Sequence, residues 1–444
     1  MLRLRGRIQH YDWGSNTALP AFTRSRPDGK PWAEIWYGSH HSSPSVVSEA
    51  SPWFDGGGTV EALAPRPLDE YLDQQPRGPE GEGQSTLPFL AKLLAASRAL
   101  SLQVHPSREV ADRRFREQVA AGEPKSQWLY SDNMHKPETL LALVPTTALV
   151  GFRDHSAIRS DLEALDVASL RAIAELLGPQ PEDLKRAFER ALRLPGDQLE
   201  DALRRISEHQ PSGPRGSAAS VDDWLKAGRA PQYVEDLSSA ADDAGADTGR
   251  AFGILDSVDT AKLLLDQYPG DVGVVGSLFL NAIELAPGQA LSLGAGVVHG
   301  YMSGGGLEVM ACSDNVLRAG LTSKRVAIDE LLDVVDFRVA PPLVDSPAVT
   351  RVGSADSGWT VLDYPAHFAE YTTKCFQVNG FPESLTVGGA EPGLVIGLAG
   401  SVVVESGDGR MSLAPGDAAF LSGGEIVTLE AEQGAVAYIT TPRA

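Results

Sequence analysis

The chain has 444 residues, 42% of them hydrophobic and 22% charged, enough apolar sequence to bury cores in roughly two to four domains. Its formal net charge of −21 opposes polyanionic partners, so neither nucleic acid nor an anionic membrane is expected as a ligand. Distant charges are screened beyond a Debye length of roughly 8 Å, so a small anion is still compatible with this chain if a local basic pocket receives it.

The two cysteines, Cys312 and Cys375, form neither a CxxC pair nor a disulfide framework, which points to a reducing compartment. The segment Met1-Leu2-Arg3-Leu4-Arg5 lacks the apolar core of a signal peptide. No apolar run reaches the roughly 20 residues that a membrane span needs. A soluble cytoplasmic protein is therefore expected.

In chain order, residues 1 to 150 alternate short apolar runs, such as Pro31–Gly38 and Leu87–Leu94, with Gly, Pro, Ser and Asp. Strands joined by turns are expected there, with loops at 55–59 and 78–85. Gly56-Gly57-Gly58 is a turn and not a phosphate loop, because no Gly-Lys-Ser/Thr follows it. From about residue 155 the period changes. Leu170, Ile173, Ala174 and Leu177 recur at helical spacing, as do Leu184, Ala187, Phe188 and Ala191, then Leu199, Ala202, Leu203 and Ile206. An acidic polar segment over 210–250 follows, and then a helix over 260–267. Strand signals return at Leu278–Leu285, Ala290–Leu293 and Val297–Tyr301, a helix is expected over 328–335, and 345–444 is β-rich with a hairpin turn at Gly407-Asp408-Gly409.

One stretch resembles another within the chain. Leu285-Ala286-Pro287-Gly288-Gln289-Ala290 is similar to Leu413-Ala414-Pro415-Gly416-Asp417-Ala418, and the ungapped continuation pairs Gly296 with Gly424 and His299 with Val427. Fixed-offset similarity suggests a duplicated unit, and turn-rich antiparallel strands suit jelly-roll barrels. The expected fold is therefore mainly β with a helical insertion and two jelly-roll barrels. The first, over 1–152 and 270–340, would bind a metal; 153–269 would be the insertion; the second, over 341–444, would be degenerate, with Val427 in place of an imidazole.

The chemistry centres on Ser101-Leu102-Gln103-Val104-His105-Pro106, a short strand stopped by proline. Alternation puts Ser101, Gln103 and His105 on one face and Leu100, Leu102 and Val104 on the other, core-facing one. Gln103 and His105 supply half of a coordination sphere, and Glu138 and His299 are the leading candidates for the rest. Two imidazoles, a carboxylate and an amide suit Zn²⁺, while Fe²⁺, Mn²⁺ and Co²⁺ fit the same donors.

The chain also resembles the type I phosphomannose isomerase family. The matching pieces are Gln9-His10-Tyr11-Asp12-Trp13-Gly14, Ala33–Gly38, Leu87–Lys92, Ser101–Pro106, His135-Lys136-Pro137-Glu138 and the long block Gly306–Thr322. The resemblance implies a cupin barrel holding one Zn²⁺ per chain on Gln103, His105, Glu138 and His299. It also implies a pocket lined by Trp13, Lys92, Ser101, Lys136, Tyr301, Glu308, Asp314 and Arg318, and interconversion of mannose 6-phosphate and fructose 6-phosphate. Ala319 and Cys312 depart from residues frequent in relatives, without touching a ligand position.

Aldose–ketose isomerisation moves a proton between adjacent carbons through an enediol, so it needs charge stabilisation and a base within hydrogen-bond reach. His135, Lys136 and Asp314 are the candidates for proton transfer, and the sequence does not choose among them. Arg318 suits the phosphate or the developing charge because its planar fork matches such oxygens, with Lys92 and Lys324 as further cations. A monomer is expected, with a homodimer as the alternative. A metal oxygenase on the same barrel and a non-catalytic sugar-phosphate sensor are the competing classes; the oxygenase leaves Lys136 and Arg318 without a task.

Overall fold

The computed structural model describes residues 1–48, 66–74, 86–210, 253–353, 357–380, 384–389, 391–407 and 409–443. The loops expected at 55–59 and 78–85, the Gly56–Gly58 turn, most of the acidic 210–250 segment and Asp408 lie outside these residues. The molecule is mainly β, and its strands form three sheets, of which none closes on itself among the described residues.

The larger sheet is built on strand Phe89–Ala96, whose eight residues are all buried. A strand buried on both faces reads as an unbroken apolar run, and the sole charge in this one is Lys92. Glu34–Tyr37 pairs along one edge of it and His299–Ala311 along the other. The strand expected from the sequence covers only Val297–Tyr301. In the structure it runs on to Ala311. The glycines permit a close crossing: a Cβ on Gly306 would lie 2.2 Å from the Leu141 carbonyl oxygen and one on Gly305 2.4 Å from that of Leu94.

Strand register brings the charged residues together. Glu308 pairs with Lys92, Lys92 with Trp36, and Met310 with Glu138. The short strand Leu102–Val104 lies between His299 and strand Leu317–Gly320, with Gln103 opposite both His299 and Arg318. Residues from four distant parts of the chain thus meet around one short strand.

Leu102 and Val104 turn to the opposite side, into a core shared with the helices. Helices Ala168–Ala174, Pro181–Leu192, Gly196–Glu208 and Ser257–Gln267 fall where the periodicity places them, joined by His155–Ala164. Their apolar stripes converge on Phe188, which packs edge-on to Phe152 and Phe279 at 5.2 and 5.4 Å. One helix departs from the sequence reading. Arg108–Ala120 lies inside the region expected to be strands and turns, and starts at Ser107, whose Oγ accepts from the Val110 N–H. Only Ala111 and Gln118 of it are buried, so its apolar signal is weak.

The C-terminal residues form most of a nine-stranded sheet and a four-stranded sheet. The apolar faces of the two enclose Val402, Val404, Leu413, Val427 and Leu429 against Trp359, Phe376 and Val395. The N-terminal strand Leu2–Arg5 joins the nine-stranded sheet beside Ala418–Leu421, pairing Leu2 with Phe420. The internal similarity has a geometric counterpart. In both copies the alanine N–H is accepted by the side chain three residues on, Gln289 Oε1 at 2.9 Å and Asp417 Oδ2 at 3.1 Å. Gly288 and Gly416 adopt φ of +87° and +84°, a left-handed conformation that glycine takes without strain.

Candidate metal centre and active-site cavity

His105, Glu138 and His299 are brought together from three strands or strand ends, and all are at most 1% exposed. His105 Nε2 lies 3.2 Å from Glu138 Oε1, and His299 Nε2 lies 3.4 Å from Oε2. Each ring is oriented by its other nitrogen. Nδ1 of His105 is 2.7 Å from the Asn315 carbonyl and Nδ1 of His299 is 2.9 Å from that of Val297. A carbonyl only accepts, so both Nδ1 atoms carry the proton and both Nε2 atoms present lone pairs inward. Burial lowers the His105 pKa to about 4, outweighing Glu138, and keeps the ring neutral.

Glu138 is pushed up by burial, but Lys136 and the imidazoles outweigh this and hold it well below the usual carboxylate range. Lys136 Nζ lies 2.6 Å from Oε1. The remaining polar atoms, Nε2 of both histidines and Glu138 Oε2, are buried with no hydrogen-bond partner. Lone pairs that face one another in a dry site repel unless a cation sits among them. Two neutral imidazoles and a carboxylate are also a normal Zn²⁺ donor set. The residues fit the metal that the family resemblance implies.

Of this group, Glu138 reaches the wall of a cavity of ≈ 480 Å³. Gln103, Glu138 and Lys136 line it, as do Trp13, Lys92, Ser101, Tyr301, Glu308, Asp314, Arg318 and Lys324. His105, His299 and His135, also sequence-derived candidates, are not part of the lining. His135 turns away, its Nε2 2.5 Å from Glu370 Oε1 in the C-terminal region.

Lys92 Nζ sits between Glu308 Oε2 at 3.0 Å and Glu34 Oε1 at 3.4 Å, all three side chains buried. Burial works against its charge, but Glu308 and Glu34 more than compensate and raise its pKa above the usual lysine value. Arg318 differs: burial alone acts on it, lowering its pKa, and its side chain has no ion-pair or hydrogen-bond partner among the described residues. Lys324 is also lowered, by burial and then by Arg318, and lies 5.5 Å from the centre of the Tyr11 ring. Among the described residues neither cation is ion-paired with a carboxylate, although Asp12 and Glu34 pull on Lys324 from further away.

Sequence reasoning did not single out Glu34, Tyr11 or Tyr268, which also line the cavity. Glu34 carried a usable signal, a charge inside the apolar run Ala33–Tyr37; its Oε2 accepts from Trp36 Nε1 at 2.7 Å. Tyr11 stacks on Trp13 at 5.7 Å, and burial and Glu34 push its pKa up to about 12. Tyr268 had no signal.

A mainly β fold with a buried two-histidine, one-carboxylate group beside a cation-bearing cavity has the donor set of a metal-binding protein. Residues 1–155 match the family model described as phosphomannose isomerase type I, catalytic domain. The chain is 31% identical to mannose-6-phosphate isomerase of Salmonella typhimurium over 434 residues, 96% of this chain and 95% of that one, and 30% identical to the Escherichia coli enzyme over the same length. Among solved structures, a zinc-bound mannose 6-phosphate isomerase matches with a TM-score of 0.75 at 26% identity, covering 100% of this chain and 99% of that one. A substituted phosphomannose isomerase from Salmonella typhimurium matches at 0.76 over 100% of both chains. The chain belongs to the type I phosphomannose isomerase family.

Proposed function

We propose that this protein interconverts D-mannose 6-phosphate and D-fructose 6-phosphate, with one Zn²⁺ per chain held by Gln103, His105, Glu138 and His299. The observation that carries the reading is the set of buried, unpartnered atoms His105 Nε2, His299 Nε2 and Glu138 Oε2, beside a cavity that Glu138 lines together with the cations Arg318 and Lys324. Bound zinc supplies Lewis-acid polarisation of sugar oxygens. The chain's own residues supply the rest. Arg318 and Lys324 receive the phosphate. Asp314, an acceptor in the cavity wall, takes the C2 proton of the aldose and returns it to C1 through an enediol, while the O2 hydroxyl proton passes to O1. Lys136, fixed beside Glu138, stabilises charge that develops on the sugar oxygens. Lys92, held by Glu34 and Glu308, offers a fixed donor to a sugar hydroxyl, with Ser101, Tyr301 and Trp13 shaping the walls. His135, engaged with Glu370, has no part in proton transfer.

The fold reading that accompanies this function is a pair of cupin-type units. The first spans 1–152 and 270–340 and carries the metal, 153–269 forms the helical insertion, and 341–444 is the unit without a metal. Matching turns at Gly288 and Gly416 support it. No helix among the described residues is long and apolar enough to cross a membrane, and the reading places a monomeric protein in the cytoplasm. The decisive assay follows fructose 6-phosphate formation from mannose 6-phosphate before and after chelation. Turnover that disappears with chelator and returns with Zn²⁺ is expected; no turnover by fully metallated protein overturns the assignment.

A further inference from the structure

Asp314 follows the end of strand His299–Ala311, and its backbone is tightly held: its N–H donates to Asp132 Oδ2 at 2.9 Å, and Ser313 Oγ donates to Asp132 Oδ1 at 2.9 Å. What remains to be fixed is the direction of its carboxylate. His40, just beyond strand Glu34–Tyr37, meets it there. Its ring is 1% exposed, lies edge-on to Trp36 at 5.2 Å and stacks on His41 at 4.6 Å. His40 Nε2 is 3.6 Å from Asp314 Oδ1 and has no hydrogen-bond partner.

The tautomer of this ring follows from its far side. The backbone N–H of Ser42 lies 3.4 Å from His40 Nδ1, and Ser42 Oγ is 2.9 Å away. A backbone amide only donates, so Nδ1 is an acceptor. Burial brings the ring's pKa down to about 4, against the pull of Asp314, so the ring is neutral and carries a single N–H. That N–H is on Nε2, directed at the carboxylate. The gap of 3.6 Å is just longer than a hydrogen bond, as catalytic contacts often are before substrate binds. His40, His41 and Asp314 also have the composition of a cation site. Metal binding at Nε2 would need the proton on Nδ1, against the Ser42 amide, so the local hydrogen bonding selects a donor over a ligand.

We propose that His40 is a positioning residue for the isomerisation: its Nε2–H orients the Asp314 carboxylate for proton transfer. This rests on the assignment of Asp314 above. His40→Ala, His40→Gln, Asp314→Asn and the double variant His40→Ala/Asp314→Asn are compared for kcat, KM, zinc content and melting temperature. His40→Ala is expected to lower kcat roughly tenfold, in the range of partners that orient a reacting group, with KM and zinc content unchanged. Glutamine, whose amide reaches the Nε2 position, restores most of the loss, and His40→Ala has no further effect once Asp314 is asparagine. Multiplicative losses in the double variant, or an unchanged kcat in His40→Ala, overturn the proposal. An Asp314→Asn enzyme as fast as the parent also overturns it, while turnover by the parent leaves the isomerase assignment standing. Should the alanine variant not fold, ¹⁵N NMR of the intact protein reads the tautomer directly: an Nε2–H ring at neutral pH is expected, and an Nδ1–H ring refutes the proposal.

Discussion

Replacing Arg318 by alanine isolates the cation that the fold buries without a partner. The side chain is half-buried on the short strand Leu317–Gly320, and the guanidinium has no ion pair among the described residues. Burial already disfavours its charge, so an arriving phosphate meets a group partly stripped of water and held in place. Two charge-assisted hydrogen bonds from its fork are worth roughly 1.5–3 kcal/mol each, and partial exposure argues for the lower end, about 3 kcal/mol in all. At 1.4 kcal/mol per factor of ten this is about two orders of magnitude in kcat/KM. The assay is initial-rate formation of fructose 6-phosphate at substrate well below KM, with zinc content and melting temperature measured alongside. Lysine at this position recovers only part of the loss, because it keeps the charge and not the fork. A folded, zinc-loaded alanine variant within about fivefold of the parent refutes the reasoning.

Lys92→Met leaves Glu34 and Glu308 facing one another in a dry site, and breaking a buried pair in this way costs roughly 3–5 kcal/mol. The melting temperature is expected to fall, and adding Glu308→Gln to recover most of it; equal stability of Lys92→Met and the parent contradicts the arrangement. Lys324 gives a pH signature. Its folded pKa lies below the ordinary lysine value, so its charge is present at neutral pH and is lost on the alkaline side earlier than for a free lysine. KM for mannose 6-phosphate should therefore rise on that limb, and Lys324→Arg should move the rise to higher pH; an identical profile in both proteins removes Lys324 from phosphate binding.

Much of the site was legible because it depends on local pattern. Ser101–Pro106 reads as a strand with two faces, and the structure turns Leu102 and Val104 into the helical core while Ser101 and Gln103 line the cavity; Leu100, expected on the core face, lies before the strand begins and lines the cavity too. The partners in space were harder. That Gln103 lies opposite both His299 and Arg318 is a matter of sheet register between distant strands, which composition does not encode. The pairing of Leu2–Arg5 with Ala418–Leu421 is hidden for the same reason. Helix Arg108–Ala120 escaped because so little of it is buried that its apolar period is faint. His135 was attractive through its neighbours Lys136 and Glu138, yet adjacent side chains on an extended segment point apart, and it turns to Glu370. His40 and His41 are not among the residues the sequence singles out; only the fold places them against Asp314.

The central claim is that two imidazoles, a carboxylate and an amide close on one zinc ion. Zinc X-ray absorption fine structure on protein loaded with one equivalent tests it most directly. The expected spectrum has only oxygen and nitrogen neighbours, at about 2.0–2.2 Å, with outer-shell scattering from two imidazole rings. A sulfur shell near about 2.3 Å, or a first shell without imidazole, would place the metal elsewhere and contradict the account.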